Sequence, residues 1–141
     1  MGFREHKGQQ LPAVNYHRFG LGKDEGKYKS LKTVVDLLGH NNRTIDIFKI
    51  DCEGCEWTIA HQWFEADVTL RQIQVELHKS DVIKTPQFFD MLYENSYVIT
   101  HKESNIEFTG PENVAIEYAL LKLAPEFFAG FDREKGGAAA S

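Results

Sequence analysis

The residues whose types and spacing could do chemistry fall in two short stretches. In the first, Asp51-Cys52-Glu53-Gly54-Cys55-Glu56, three carboxylates and two thiols surround a glycine that lets the backbone turn sharply. In the second, Glu76 and His78 close an apolar run. Carboxylates with a histidine can bind a hard divalent cation through oxygen, act as general acid and base, or hold the polar end of a small ligand. Spacing alone does not choose among these. The structural reading of the same residues is that Asp51 and Glu53 cap a helix, Glu56 is solvated and His78 is a satisfied loop histidine. Two apolar runs delivering acidic groups to one edge favour a shared site instead.

Cys52 and Cys55 are the only cysteines, and they form a Cys-x-x-Cys at a turn, a context in which a dithiol becomes reactive. The adjacent carboxylates disfavour the thiolate, and a zinc site would need further ligands. Buried, inert cysteines are the expectation, with a thiol redox site as an alternative. His6, His17, His40, His61 and His101 lack metal-ligand spacing, and Trp57 and Trp63 suit a helix packing face.

For the two stretches to meet, each must leave the carboxyl end of a strand, and the strands must be neighbours. Ile45 to Ile50 is a short apolar run that suits a strand covered on both faces. Leu70 to Leu77 places Ile73, Val75 and Leu77 on one face of a second strand. Ser30 caps a helix carrying Leu31, Val34, Val35 and Leu38, and Gly39 stops it. Trp57, Ile59, Ala60, Trp63 and Phe64 make another helix, with Glu53 and Glu56 near its N-terminus where the dipole favours carboxylates. Thr85 caps a third helix that begins at Pro86 and ends near Asn95. Tyr97 to His101 and Val114 to Leu123 pair as antiparallel strands across a loop holding Gly110 and Pro111. Ala13 to Phe19 alternates as an edge strand, and Gly20 to Lys29 forms a loop whose Gly-x-Gly is too short for a phosphate-binding motif.

Helical connections between strands imply parallel neighbours and a layered α/β domain. Asp51, Glu53, Glu76 and His78 then share the rim where open α/β sheets bind their ligands. The domain spans residues 13–124, between a flexible lead-in at 1–12 and a frayed tail at 125–141.

Composition narrows the function classes. The 141 residues are 42% hydrophobic and 12% aromatic, enough to bury one core. A net charge of -5 with no basic run excludes an electrostatic footprint for nucleic acid. No apolar run reaches the roughly 20 residues of a membrane helix, and no signal-peptide core is present. With only two cysteines, a soluble chain in a reducing, cytoplasmic compartment is expected.

Ile-Asp-Ile-Phe-Lys-Ile-Asp-Cys-Glu-Gly-Cys-Glu-Trp, followed by Gln-Ile-Gln-Val-Glu-Leu-His, resembles the methyltransferase domain 22 family, related to the FkbM methyltransferases. The resemblance runs from about Val14 through Leu123. It implies a Rossmann-like class I fold that uses S-adenosylmethionine and often methylates oxygen, here on a small-molecule or glycan-type acceptor. By match of motif, Asp51, Glu53, Glu76 and His78 are the catalytic candidates. Asp51, Cys52 and Gly54 would lie against the cofactor, and Asp51, Glu76 and His78 are candidate ligands for Mg²⁺. The chain begins near the family's third strand, without the Gly-rich loop after the first strand or the acid after the second. A truncated sheet is therefore expected, weak or inactive alone. Its exposed edge makes a non-catalytic module that homodimerises, or that pairs with a missing N-terminal half, the alternative function.

Overall fold

In the computed structural model, the residues described are 14–79, 81–105 and 115–128. The lead-in, the loop with Gly110 and Pro111, and the tail beyond Phe128 lie outside them. The main sheet has four strands: β3 (Arg43–Ile50), β4 (Val68–His78), β5 (Tyr97–Ser104) and β6 (Ala115–Lys122), in the order β3-β4-β6-β5. β3 and β4 are parallel, as their helical connection requires, and β4–β6 and β5–β6 are antiparallel. Together with its helices this is a mixed α/β architecture, consistent with the expected Rossmann-like fold.

Two short strands, β1 (Gly20–Leu21) and β2 (Tyr28–Lys29), form a separate parallel ribbon where a loop was expected. The expected edge strand ending at Phe19 is absent: residues 14–19 are irregular, with Val14 and Tyr16 more than half exposed. Their alternation has no described neighbouring strand to pair with, and alternation alone does not make a strand.

Helix α1 (Leu31–Leu38) has the predicted ends. Ser30 Oγ accepts from the Thr33 amide at 3.1 Å, and Gly39 takes the left-handed conformation at φ 64°. Asp24 completes the cap by accepting from the Ser30 amide and both the Ser30 and Thr33 hydroxyls, which hold its carboxyl below the ordinary range.

Helix α2 (Glu56–Ile59) is a single turn that continues as a 3-10 turn over Ala60–Phe64. Helix α3 (Lys84–Glu94) starts earlier than the Thr85-Pro86 pair suggested. Asp81 Oδ1 accepts from the Ile83 and Lys84 amides, while Thr85 Oγ1 accepts from the Asp81 amide, so the capping role belongs to Asp81. The segment after β6 forms a 3-10 turn at Pro125–Phe128 where a frayed tail was expected.

The core lies between the sheet and these helices. Trp63, Ile73, Leu92 and Leu120 are each at most 1% exposed, and edge-to-face contacts join Phe48, Trp63, Phe88 and Trp57. β3 departs from the expectation of a strand covered on both faces. Only Ile50 is buried, and Ile47 is 58% exposed. Among the described residues its outer edge has no partner.

Candidate active site

The register of β3 on β4 builds the rim. Ile50 pairs with Val75, so the next residue along each chain, Asp51 just past β3 and Glu76 within β4, stand side by side, and His78 follows two residues along β4 on the same face. Glu76 is 7% exposed, and its Oε1 accepts from Asn105 Nδ2 at 2.8 Å. His78 Nε2 lies 3.8 Å from Asp51 Oδ1, 3.6 Å from Glu53 Oε2 and 3.9 Å from Glu76 Oε1. All four predicted catalytic residues are therefore brought together.

The backbone at this rim is unusual. Glu53 and Lys79 both adopt φ between 50° and 60°, as 58° and 53°, and Gly54 has φ 105°. A non-glycine residue there costs of order 1 kcal/mol and persists when its surroundings enforce it. Each rim strand thus exits through a left-handed residue beside the histidine.

Glu56, expected to be solvated or to serve the helix dipole, is fully buried and organises the site. Its Oε1 accepts from the His78 amide at 2.8 Å and contacts His78 Nδ1 at 3.0 Å. Its Oε2 accepts from the Gly54 amide at 3.0 Å. A carboxylate can only accept, so Nδ1 carries the proton and the neutral imidazole keeps its lone pair on Nε2, facing the three other carboxylates. Burial pulls the imidazole pKa down, but the hydrogen bond and charge of Glu56, with Glu76 and Glu53, outweigh it and hold His78 above its ordinary value. Burial and the neighbouring Glu76 carboxylate likewise push Asp51 above the usual carboxylate range. Trp57 braces the same point, its indole N–H donating to the His78 carbonyl at 2.6 Å.

The cysteines correct a second expectation. They are half-buried, but they are not free thiols: Cys52 and Cys55 form a disulfide with an S–S distance of 2.07 Å. The turn between β3 and α2 brings their Cα atoms to 5.4 Å, within bridging range.

A family model described as a methyltransferase domain, methyltransferase domain 22, matches residues 2–122. The chain belongs to this methyltransferase family. Neither the curated proteins nor the solved structures give a significant match. The match spans both rim strands and every residue of the histidine cluster, so the methyltransferase domain contains the site described above.

Three residues of the rim were missed by sequence reasoning: Glu56, Asn105 and Trp57 in its bracing role. Glu56 had a usable signal. It stands at i, with Ile59, Ala60 and Trp63 at i+3, i+4 and i+7, which puts a carboxylate on the apolar face of its own helix, where it must find a partner. Asn105 had none, because its contact with Glu76 depends on the β5–β6 pairing far along the chain.

Proposed function

We propose that this rim performs S-adenosylmethionine-dependent methyl transfer to a hydroxyl oxygen of a small-molecule or glycan-type acceptor, with His78 as the general base. The observation that carries the reading is the clamped imidazole. Nδ1–H is fixed on buried Glu56, and Nε2 is free to take the acceptor's proton. Asp51, Glu53 and Glu76 stabilise the imidazolium that forms. A pKa raised above the ordinary imidazole value brings the base toward neutral pH.

The cofactor, when bound, supplies an electrophilic methyl group on a cationic sulfur. The residues present fit that charge: Asp51 and Glu53 are partly exposed carboxylates at the mouth of the rim. Gly54 keeps the turn beside them open, with nothing within 4 Å of where a Cβ would stand. Cys52, assigned to the cofactor from the resemblance, is tied into the bridge and offers no thiol there.

Calorimetry with S-adenosylmethionine and transfer of a labelled methyl group to a panel of hydroxyl acceptors test the proposal. His78→Asn should lower the rate by roughly 10²- to 10⁴-fold with binding retained. An unchanged rate removes His78 as the base. Asp51, Glu76 and His78 also offer ligand atoms within 4.8 Å of one another, a spacing that suits a cation such as Mg²⁺. Loss of the rate in EDTA, restored by Mg²⁺, would mean that the ion activates the acceptor hydroxyl by polarising its oxygen, with the rim residues serving as its ligands.

A second reading rests on a different observation. β3 pairs only with β4 among the described residues, and its outer edge offers free backbone groups to another strand. In that reading the chain is an assembly module that homodimerises, or that takes up a missing N-terminal half, through β3. Sedimentation that finds a monomer at high concentration rules out the homodimer.

A further inference from the structure

The Cys52–Cys55 bridge and His78 hang on opposite oxygens of one carboxylate. Glu56 Oε1 holds the His78 amide and Nδ1, while Oε2 holds the Gly54 amide inside the bridged turn and lies 3.1 Å from Cys52 Sγ. A disulfide sulfur carries no hydrogen, so with the bridge closed that last contact has no donor. Once reduced, Cys52 becomes an S–H donor at hydrogen-bond distance from Oε2.

We propose that Cys52–Cys55 is a reversible thiol–disulfide couple whose state is transmitted to His78 through Glu56. A dithiol reductant attacks one sulfur through its thiolate and forms a mixed disulfide, and its second thiol then displaces the protein sulfur. The bridge takes up two electrons and two protons to give two cysteine thiols, and the reductant leaves as its own disulfide. The Cys52 thiol then donates to Oε2, the charge of Glu56 is shared with one more donor, and its bonds to His78 weaken. The bridge suits this role better than a structural one. It closes the loop between residues only three apart, the kind that constrains an unfolded chain least, so the fold should outlast its opening. Both cysteines are half-buried rather than enclosed, which leaves the bridge open to exchange.

The test uses the full chain, oxidised and then treated with dithiothreitol, and requires no methyl acceptor. Failure of the methyl-transfer reading would leave it intact. Iodoacetamide labelling read by intact mass should modify both cysteines only after reduction, with the far-ultraviolet circular dichroism unchanged. In ¹⁵N-correlated NMR spectra the His78 amide should move upfield and the Trp57 indole N–H should shift. Both should return on reoxidation, while the Trp63 indole stays in place. Cys55→Ser leaves Cys52 as a permanent donor and should show the reduced-state positions without reductant. A bridge that opens only in denaturant, or one that opens while the His78 and Trp57 signals stay fixed, overturns the proposal. So does a Cys55→Ser spectrum at the oxidised positions.

Discussion

β3 and β4 run parallel and in register from Arg43 against Val68 to Ile50 against Val75, yet they live in different surroundings. β4 has a strand on each side and buries Leu70, Ile73, Val75 and Leu77; β3 buries Ile50 alone. The same division appears at the rim. Glu76 and His78, from β4, have side chains 7% and 13% exposed, while Asp51 and Glu53, from the turn after β3, are 45% and 46% exposed. The central strand thus supplies the fixed groups and the edge strand supplies those that can meet a ligand. Glu56 reaches across from the β3 side to hold the β4 side in place.

The sharpest way to break this arrangement is to remove that link. Glu56→Ala leaves the His78 amide and Nδ1 without their acceptor, and each buried donor left unsatisfied costs about 1–3 kcal/mol. Urea unfolding measures it. A loss below about 1 kcal/mol would show that water replaces the carboxylate and that the two sides of the rim are independent.

The strands themselves come next. Ile73→Ala empties a site with no exposure and should cost about 2–5 kcal/mol. Ile47→Ala, at 58% exposure on β3, should stay within about 0.5 kcal/mol. If Ile47→Ala costs as much as Ile73→Ala, then β3 is covered in solution, and the assembly reading gains support.

This contrast also marks what the sequence could and could not reveal. The four strands of the main sheet, the three helices, the parallel pair and the meeting of Asp51, Glu53, Glu76 and His78 were legible, because apolar period and turn residues determine them locally. The two-sided cover expected for β3 was not, since Ile45, Ile47, Phe48 and Ile50 make the same apolar run whether or not a further strand lies beside them. The inward turn of Glu56 was readable from its helical spacing, but a carboxylate in a first helical turn reads more readily as a dipole partner. The bridge was missed for another reason. Two cysteines three apart could be a thiol pair or a disulfide, and only the backbone of the turn decides.

A smaller effect sharpens the rim's own strain. Glu53 sits at φ 58°, where glycine is at ease and glutamate is not. Glu53→Gly should raise stability by up to about 1 kcal/mol in the same unfolding assay, while removing one of the three carboxylates facing Nε2 and slowing methyl transfer. A variant both less stable and fully active would mean that the Glu53 side chain anchors the turn rather than serving the histidine.

The least expensive perturbation is pH, and its sign follows from the directions of the shifts. His78 is raised in the fold by Glu56, Glu76 and Glu53 against the pull of burial, so its contribution is complete below the ordinary imidazole value of about 6.5 and is lost as pH rises through the folded value. Asp51 is also raised, by burial and Glu76, so its part is complete below the ordinary carboxylate value and is lost as pH climbs through its own folded value. Asp24 and Asp81, held low by backbone and hydroxyl donors, act the opposite way and lose their contribution as pH falls. The rim therefore favours lower pH and the two helix caps favour higher pH. The difference in stability between the wild type and His78→Asn isolates the histidine. It should shrink as pH rises through the imidazole window. A difference that grows with pH would mean that the imidazole is held neutral by burial, and that the ring of carboxylates around Nε2 does not govern its charge.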